Sequence, residues 1–175
     1  MRISVPALCA FIFLVCPASD LLAQPYDGVT YGFSLGLAYS PDDNLTSAGW
    51  NLGGTVEGLV GHSLELRATL GGIGIEGDAG EQTPKATYAF LLVDVLAADL
   101  LSPTGGIGLY YVDLDPPLVD ETLSRLEFGA NAGVRLMIPY STKRADHAFT
   151  LDARVHSVLG DGPSLLVTVG AGMLF

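Results

Sequence analysis

The side chains that could catalyse a reaction are few in this sequence. Asp152, His156 and Ser157 are the residue types of a nucleophilic triad, in which a base takes the proton of a hydroxyl. His156 and Ser157 are adjacent, however, and adjacent side chains of a β-strand point to opposite faces, so they cannot form that pair in a strand. No histidine or cysteine cluster has the spacing of a metal site, and no glycine-rich stretch has the context of a phosphate loop. We therefore predict no catalytic residue, no metal and no cofactor, and expect that the protein is not an enzyme.

Seven charged residues, Asp152 among them, share another property: each lies among glycines and small polar residues on one face of an alternating segment. They are Glu57, Glu65, Arg67, Glu127, Arg135, Asp152 and Arg154. Both signs of charge occur in similar numbers, and buried charges are tolerated when they are paired and hydrogen-bonded. Two interpretations remain open, a packed network of ion pairs and a gated path for ions. The packed network is favoured because about eight strands enclose an interior that side chains just fill.

The segments that hold these residues alternate large apolar side chains with small or polar ones. This period of two predicts β-strands, and the short connections predict antiparallel neighbours. We expect strands over residues 29–40, 50–59, 62–76, 85 to about 95, 106–113, 125–138, 147–158 and 165–175. The fourth segment is apolar on both faces, so the sequence does not show which face points into the barrel. Pro103 is assigned to the turn before the fifth strand. The prediction is an all-β, antiparallel, up-and-down barrel of about eight strands.

The N-terminal segment predicts export. A short basic start is followed by an apolar core and then by small residues, which is the pattern of a secretory signal peptide. We place the signal peptide at residues 1–23, with cleavage between about residues 18 and 23, and the barrel at residues 24–175. Cleavage removes Cys9 and Cys16, so the mature domain is expected to be stabilised by its sheet and not by a disulfide.

The composition and the last strand indicate an exterior that faces lipid. Hydrophobic residues make up 49% of the chain and charged residues 15%, yet no apolar run after the N-terminal segment reaches the roughly 20 residues of a spanning helix. Residues 165–175 end on the aromatic Phe175, an edge that invites pairing between chains in water but can close a barrel in lipid. A soluble ligand carrier is the competing architecture. The net charge of −11 argues against nucleic acid as a partner, and we interpret the acidic connections as solvated loops in preference to cation sites.

Three stretches carry a resemblance to a known family: LEFGANAGVRLMIP, TLDARVHSVLG and the terminal VTVGAGMLF. Together with the alternation along the mature chain, they resemble the small outer-membrane β-barrel domains related to the OmpA transmembrane domain and OmpX. The resemblance implies a monomeric transmembrane barrel in the bacterial outer membrane, with membrane lipid and the barrel assembly machinery as partners and Phe175 as the assembly signal. It also implies a structural or surface-interaction role and a lumen filled by side chains. The alternative is a narrow channel or transporter for a small or hydrophobic solute.

Overall fold

The computed structural model describes residues 29–41, 48–60, 64–76, 85–97, 100–115, 123–140, 147–160 and 165–175. The signal peptide predicted for residues 1–23 lies outside these ranges, as do most residues of the acidic loops. None of the described residues forms a helix long and apolar enough to cross a membrane.

The described residues form eight strands that close into one barrel. The strands are β1 (Val29–Tyr39), β2 (Gly49–Val60), β3 (Leu64–Glu76), β4 (Lys85–Ala97), β5 (Leu101–Leu114), β6 (Leu123–Pro139), β7 (Ala148–Leu159) and β8 (Leu165–Leu174). Each pairs antiparallel with the next along the chain, and β1 pairs antiparallel with β8. The predicted all-β, antiparallel, up-and-down barrel is confirmed, and the strand bounds agree with the sequence interpretation within two residues except in β5.

The fifth strand begins earlier than the sequence predicted. It starts at Leu101, and Pro103, which we had assigned to a turn, is a strand residue opposite Val134 of β6. The last pair between β4 and β5 joins Leu96 to Thr104, so Pro103 lies where β5 is paired on one side. A proline has no backbone N–H to donate, and such an edge position tolerates that loss.

The barrel closes through β1 and β8. Their register runs from Gly32 opposite Leu174 to Tyr39 opposite Val167. Beyond it, the backbone N of Tyr31 donates to the carbonyl oxygen of Phe175 at 3.1 Å, and the backbone N of Phe175 donates to the carbonyl oxygen of Tyr31 at 2.9 Å. The seam is therefore paired up to residue 175.

The outer face of every strand carries large, exposed apolar side chains. We call the end of the barrel that holds Val29 and Phe175 the terminal end, and the opposite end the loop end. Exposed aromatic residues border the outer face at both ends, with Tyr39, Trp50 and Tyr111 toward the loop end and Tyr31, Tyr140, Phe149 and Phe175 toward the terminal end. Within the described strands, the charged residues of the outer face are Glu76, Lys85 and Asp113, all at the loop end.

The orientation of β4, which the sequence left ambiguous, follows a strict alternation. Leu91, Val93 and Val95 are exposed on the outer face, whereas Tyr88, Phe90, Leu92, Asp94 and Leu96 are buried in the lumen. A carboxylate on the outer face would lie within the apolar surface, so the single charge in the middle of the strand is directed inward.

Candidate functional site

The terminal-end half of the lumen contains a cluster of seven charged side chains, which we call the charge network. Its members come from five strands that face one another across the lumen: Glu57, Glu65, Arg67, Asp94, Arg135, Asp152 and Arg154. Six of these are among the seven residues that the sequence placed inside. The three guanidinium groups and four carboxylates leave one net negative charge in the network at neutral pH if every member is ionised.

Arg135 of β6 bridges two carboxylates. Its Nη1 donates to Glu57 Oε2 at 2.5 Å, and its Nη2 donates to Glu65 Oε2 at 2.7 Å. Glu57 lies on β2 and Glu65 on β3, so one guanidinium joins strands on opposite sides of the barrel. All three side chains are buried, and the planar fork of an arginine suits such a double contact.

Arg67 and Arg154 share the other two carboxylates. Arg67 donates from Nε to Asp94 Oδ2 at 3.2 Å and from Nη1 to Asp152 Oδ1 at 3.2 Å. Arg154 donates from Nη1 to the same Asp94 oxygen at 3.1 Å and from Nη2 to the same Asp152 oxygen at 3.1 Å. Asn131 Nδ2 donates to the remaining oxygen, Asp94 Oδ1, at 2.8 Å. Each of the two guanidinium groups thus hydrogen-bonds both Asp94 and Asp152, and the four groups form a closed ring of ion pairs.

Asp94 is the member of the charge network that sequence reasoning missed. It was missed because its strand is apolar on both faces and gave no orientation. A signal was present, since Asp94 is the single charged residue between Lys85 and Ala97. If a charge at mid-strand must face inward, Asp94 fixes the inward face of the whole segment.

Glu127 lies apart from the charge network. It forms an ion pair with Arg125, two residues away on the same face of β6, toward the loop end of the lumen. Arg125 was not among the residues singled out from the sequence. The structure therefore divides the seven predicted residues into a group of six and Glu127, which pairs with Arg125.

Three rings cross the lumen at the loop-end side of the charge network, and we call Phe90, Tyr110 and His156 the aromatic layer. The ring centroids lie 6.1 Å apart for Phe90 and Tyr110, 5.9 Å for Phe90 and His156, and 6.1 Å for Tyr110 and His156. The Tyr110 hydroxyl hydrogen-bonds His156 Nδ1 at 3.0 Å, and His156 Nε2 hydrogen-bonds Thr168 Oγ1 at 3.1 Å. Both ring nitrogens of His156 are therefore engaged inside the barrel.

The triad residues do not come together. His156 is buried in the lumen, whereas Ser157 lies on the outer face of β7 opposite Ala130 of β6. Asp152 contacts arginines. Among the described residues, no three His, Cys, Asp or Glu side chains form a group that could hold a metal ion.

Apart from the Arg125–Glu127 pair and Ser40, the described side chains in the loop-end half of the lumen are mainly apolar. We call the buried apolar side chains there the apolar cluster: Ala38, Ile73, Ile75, Ala86, Tyr88, Val112, Leu114, Val158 and Leu166. They pack against one another and against the aromatic layer. The interior thus changes along the barrel axis from ion pairs, through a layer of tilted rings, to mainly apolar side chains.

Comparison with known proteins shows similarity in structure and none in sequence. No protein-family model and no curated protein matches the chain. Among solved structures, the outer membrane protein OprG of Pseudomonas aeruginosa is 13% identical, with 87% of this chain and 98% of that chain covered at a TM-score of 0.52. The outer membrane protein Ail of Yersinia pestis in a phospholipid bilayer nanodisc is 15% identical, with 85% and 100% covered at a TM-score of 0.51. These two similarities show that the chain has the fold of small outer-membrane β-barrels, as the sequence resemblance predicted.

Proposed function

We propose that this protein is a monomeric integral β-barrel of the bacterial outer membrane, with a structural or surface-interaction role and a lumen closed by its own side chains. The outer face is the observation that carries the proposal. Its apolar side chains are exposed on all eight strands, and its strand charges are confined to the loop end. An apolar surface of this extent would cause association in water, whereas lipid is a suitable solvent for it.

The lumen supports closure over conduction. Ion pairs occupy the terminal-end half, the aromatic layer crosses the middle, and the apolar cluster and the Arg125–Glu127 pair occupy the loop-end half. A hydrated ion that crossed the barrel would have to displace buried side chains in each part. A soluble carrier would need the reverse arrangement, a polar exterior around a lumen open to its ligand.

The proposal includes the route by which the chain reaches the membrane. We infer that the signal peptide, residues 1–23, is removed on export and that the barrel assembly machinery recognises the last strand. The ring of Phe175 is exposed at the terminal end, with its centroid 6.4 Å from that of Phe33. An exposed aromatic side chain at the closing seam supports its role as the assembly signal. We assign no catalytic residue and no cofactor.

The first test is heat-dependent electrophoretic mobility. Residues 24–175 are refolded in detergent, and the mobility is compared with and without boiling. We expect a shifted band that boiling abolishes, because a closed barrel resists the detergent until it is heated. A chain that stays soluble without detergent and shows no shift would favour the soluble carrier.

The second test is conductance. The refolded protein is inserted into planar lipid bilayers, with a general porin as the positive control. We expect no regular current steps from this protein under conditions in which the porin gives them. Regular steps of one size would favour the narrow channel, although the barrel and its place in the membrane would stand.

A further inference from the structure

The lumen contains a cavity between the charge network and the aromatic layer. Its accessible volume is about 30 Å³. The polar side chains that line it include Asn51, Thr69, Asp152, His156 and Thr168. One water molecule needs roughly 10–15 Å³ of such a cavity. The cavity therefore has room for about two water molecules and is too small for a larger solute.

One hydroxyl in the cavity wall has no hydrogen-bond partner among the described residues. Thr69 is 3% exposed, and among the described residues nothing hydrogen-bonds its Oγ1. A buried hydroxyl that forms no hydrogen bond destabilises the folded state. A partner outside the polypeptide would remove this cost.

A carboxylate also lines the cavity, and only one of its two oxygens accepts hydrogen bonds from the described residues. Asp152 Oδ1 accepts the hydrogen bonds of Arg67 and Arg154, whereas Oδ2 accepts none from the described residues. The Asp152 side chain is 14% exposed although it lies inside the barrel. An ionised oxygen that faces an internal space is a strong acceptor for a water hydrogen.

We propose that this cavity is a water-binding site, in which ordered water hydrogen-bonds Thr69 Oγ1 and the open oxygen of Asp152. Ordered water bound to two or more polar groups is a normal part of a protein interior. Water suits the site better than an ion, because the wall presents Asp152 and Arg154 together and so favours neither sign of charge. The inference depends on the lumen alone and goes beyond the proposed role in the membrane.

The first test compares two threonines with unpartnered, buried hydroxyls. Thr69 lines the cavity, whereas Thr30, which is 1% exposed, does not. We expect Thr69→Val to lower the midpoint of urea unfolding, because it removes a bond to water, and Thr30→Val to leave the midpoint unchanged or raise it. A Thr69→Val midpoint at or above that of the wild type would overturn the proposal, since removal of a truly unpartnered hydroxyl stabilises.

The second test detects the water directly by nuclear Overhauser contacts between water and the methyl groups of Thr69 and Thr168 in detergent micelles. A methyl added by Gly53→Ala would enter the cavity, 3.2 Å from Thr69 Cγ2, whereas one added by Gly54→Ala would meet nothing within 4 Å. We expect long-lived water contacts at Thr168 in the wild type and in Gly54→Ala, and their loss in Gly53→Ala. Absence of the contacts in the wild type, or their persistence in a Gly53→Ala barrel that keeps its mobility shift, would overturn the proposal.

Discussion

Among single residues, Arg135 shows how far a buried charge depends on its ion-pair partners. It is fully buried and forms ion pairs with both Glu57 and Glu65. We expect Arg135→Met to lower the free energy of unfolding by about 3–5 kcal/mol, because Glu65 would remain buried without a cation and Glu57 would keep only Arg67, whose Nη1 lies 3.8 Å from Glu57 Oε1. Urea unfolding in lipid vesicles, followed by the fluorescence of the single tryptophan, measures the change.

Two further variants isolate the electrostatic cause. Lys85→Met removes the cation of an exposed ion pair with Glu76, which should cost about 0–1 kcal/mol. Combining Arg135→Met with Glu57→Gln and Glu65→Gln removes the unpaired charges and should recover most of the lost stability. A triple variant as unstable as Arg135→Met alone would mean that packing, not charge, explains the loss.

The sequence predicted which charged residues face the lumen better than it predicted which of them form ion pairs with one another. Alternation in β2, β3, β6 and β7 was enough to assign seven charges to one face. Which acid meets which arginine depends on the stagger of the strands around the barrel, and the sequence does not encode that stagger locally. The separation of Glu127 from the other six is a consequence of that geometry, whereas Asp94 was missed because the sequence of β4 gave no orientation.

At the scale of elements, β2 and β3 are joined by an aromatic ring that lies over glycines. A Cβ at Gly72 would lie 3.5 Å from the Trp50 ring, and one at Gly74 would lie 2.6 Å from Trp50 Cε2. The indole therefore covers the backbone of β3 next to the loop end, where exposed aromatic residues border the apolar surface. Glycine is required at position 74 because a side chain there would displace the ring, whereas a Cβ at position 72 would only contact it.

We expect Gly74→Ala to turn the indole of Trp50 away from β3 and toward the water at the loop end. The emission maximum of this single tryptophan should move to longer wavelength, and its quenching by brominated lipid should fall. Gly54→Ala, on the outer face of β2 with open space around the new methyl, should change neither signal. Equal spectra for Gly74→Ala and the wild type would show that the ring does not rest on β3.

The strands themselves were largely predictable from the period of two, which fixed seven of the eight within two residues. The exception was β5, where Pro103 indicated a turn. Proline disfavours a strand only where its missing N–H would have met a neighbour, and that depends on where β4 ends. Sequence alone does not supply the length of the adjacent strand.

For the whole molecule, the decisive question is which solvent surrounds the outer face. The sequence favoured lipid because the outward-facing residues of the clearly alternating strands include no charge and because the last strand ends on an aromatic residue. Both arguments are collective, since a single alternating strand fits a soluble sheet equally well. Closure of the sheet between β1 and β8 could be expected from these arguments. The change from a charged part to an apolar part of the lumen could not, because it depends on which residues of the eight strands lie at the same level along the barrel axis.

Two substitutions on β1 distinguish lipid from water around the barrel. Leu35, 59% exposed, lies midway between Tyr31 and Tyr39, whereas Val29, 58% exposed, lies beyond Tyr31 at the terminal end. In a membrane, we expect Leu35→Arg to lower the free energy of unfolding by about 2–4 kcal/mol and Val29→Arg by about 0–1 kcal/mol, because the cost of a cation falls from the midplane to the interface. Urea titration of both variants in the same vesicles gives the comparison. In water the two sites, equal in exposure, would tolerate arginine alike, within about 0.5 kcal/mol, so equal effects would refute a lipid-facing surface.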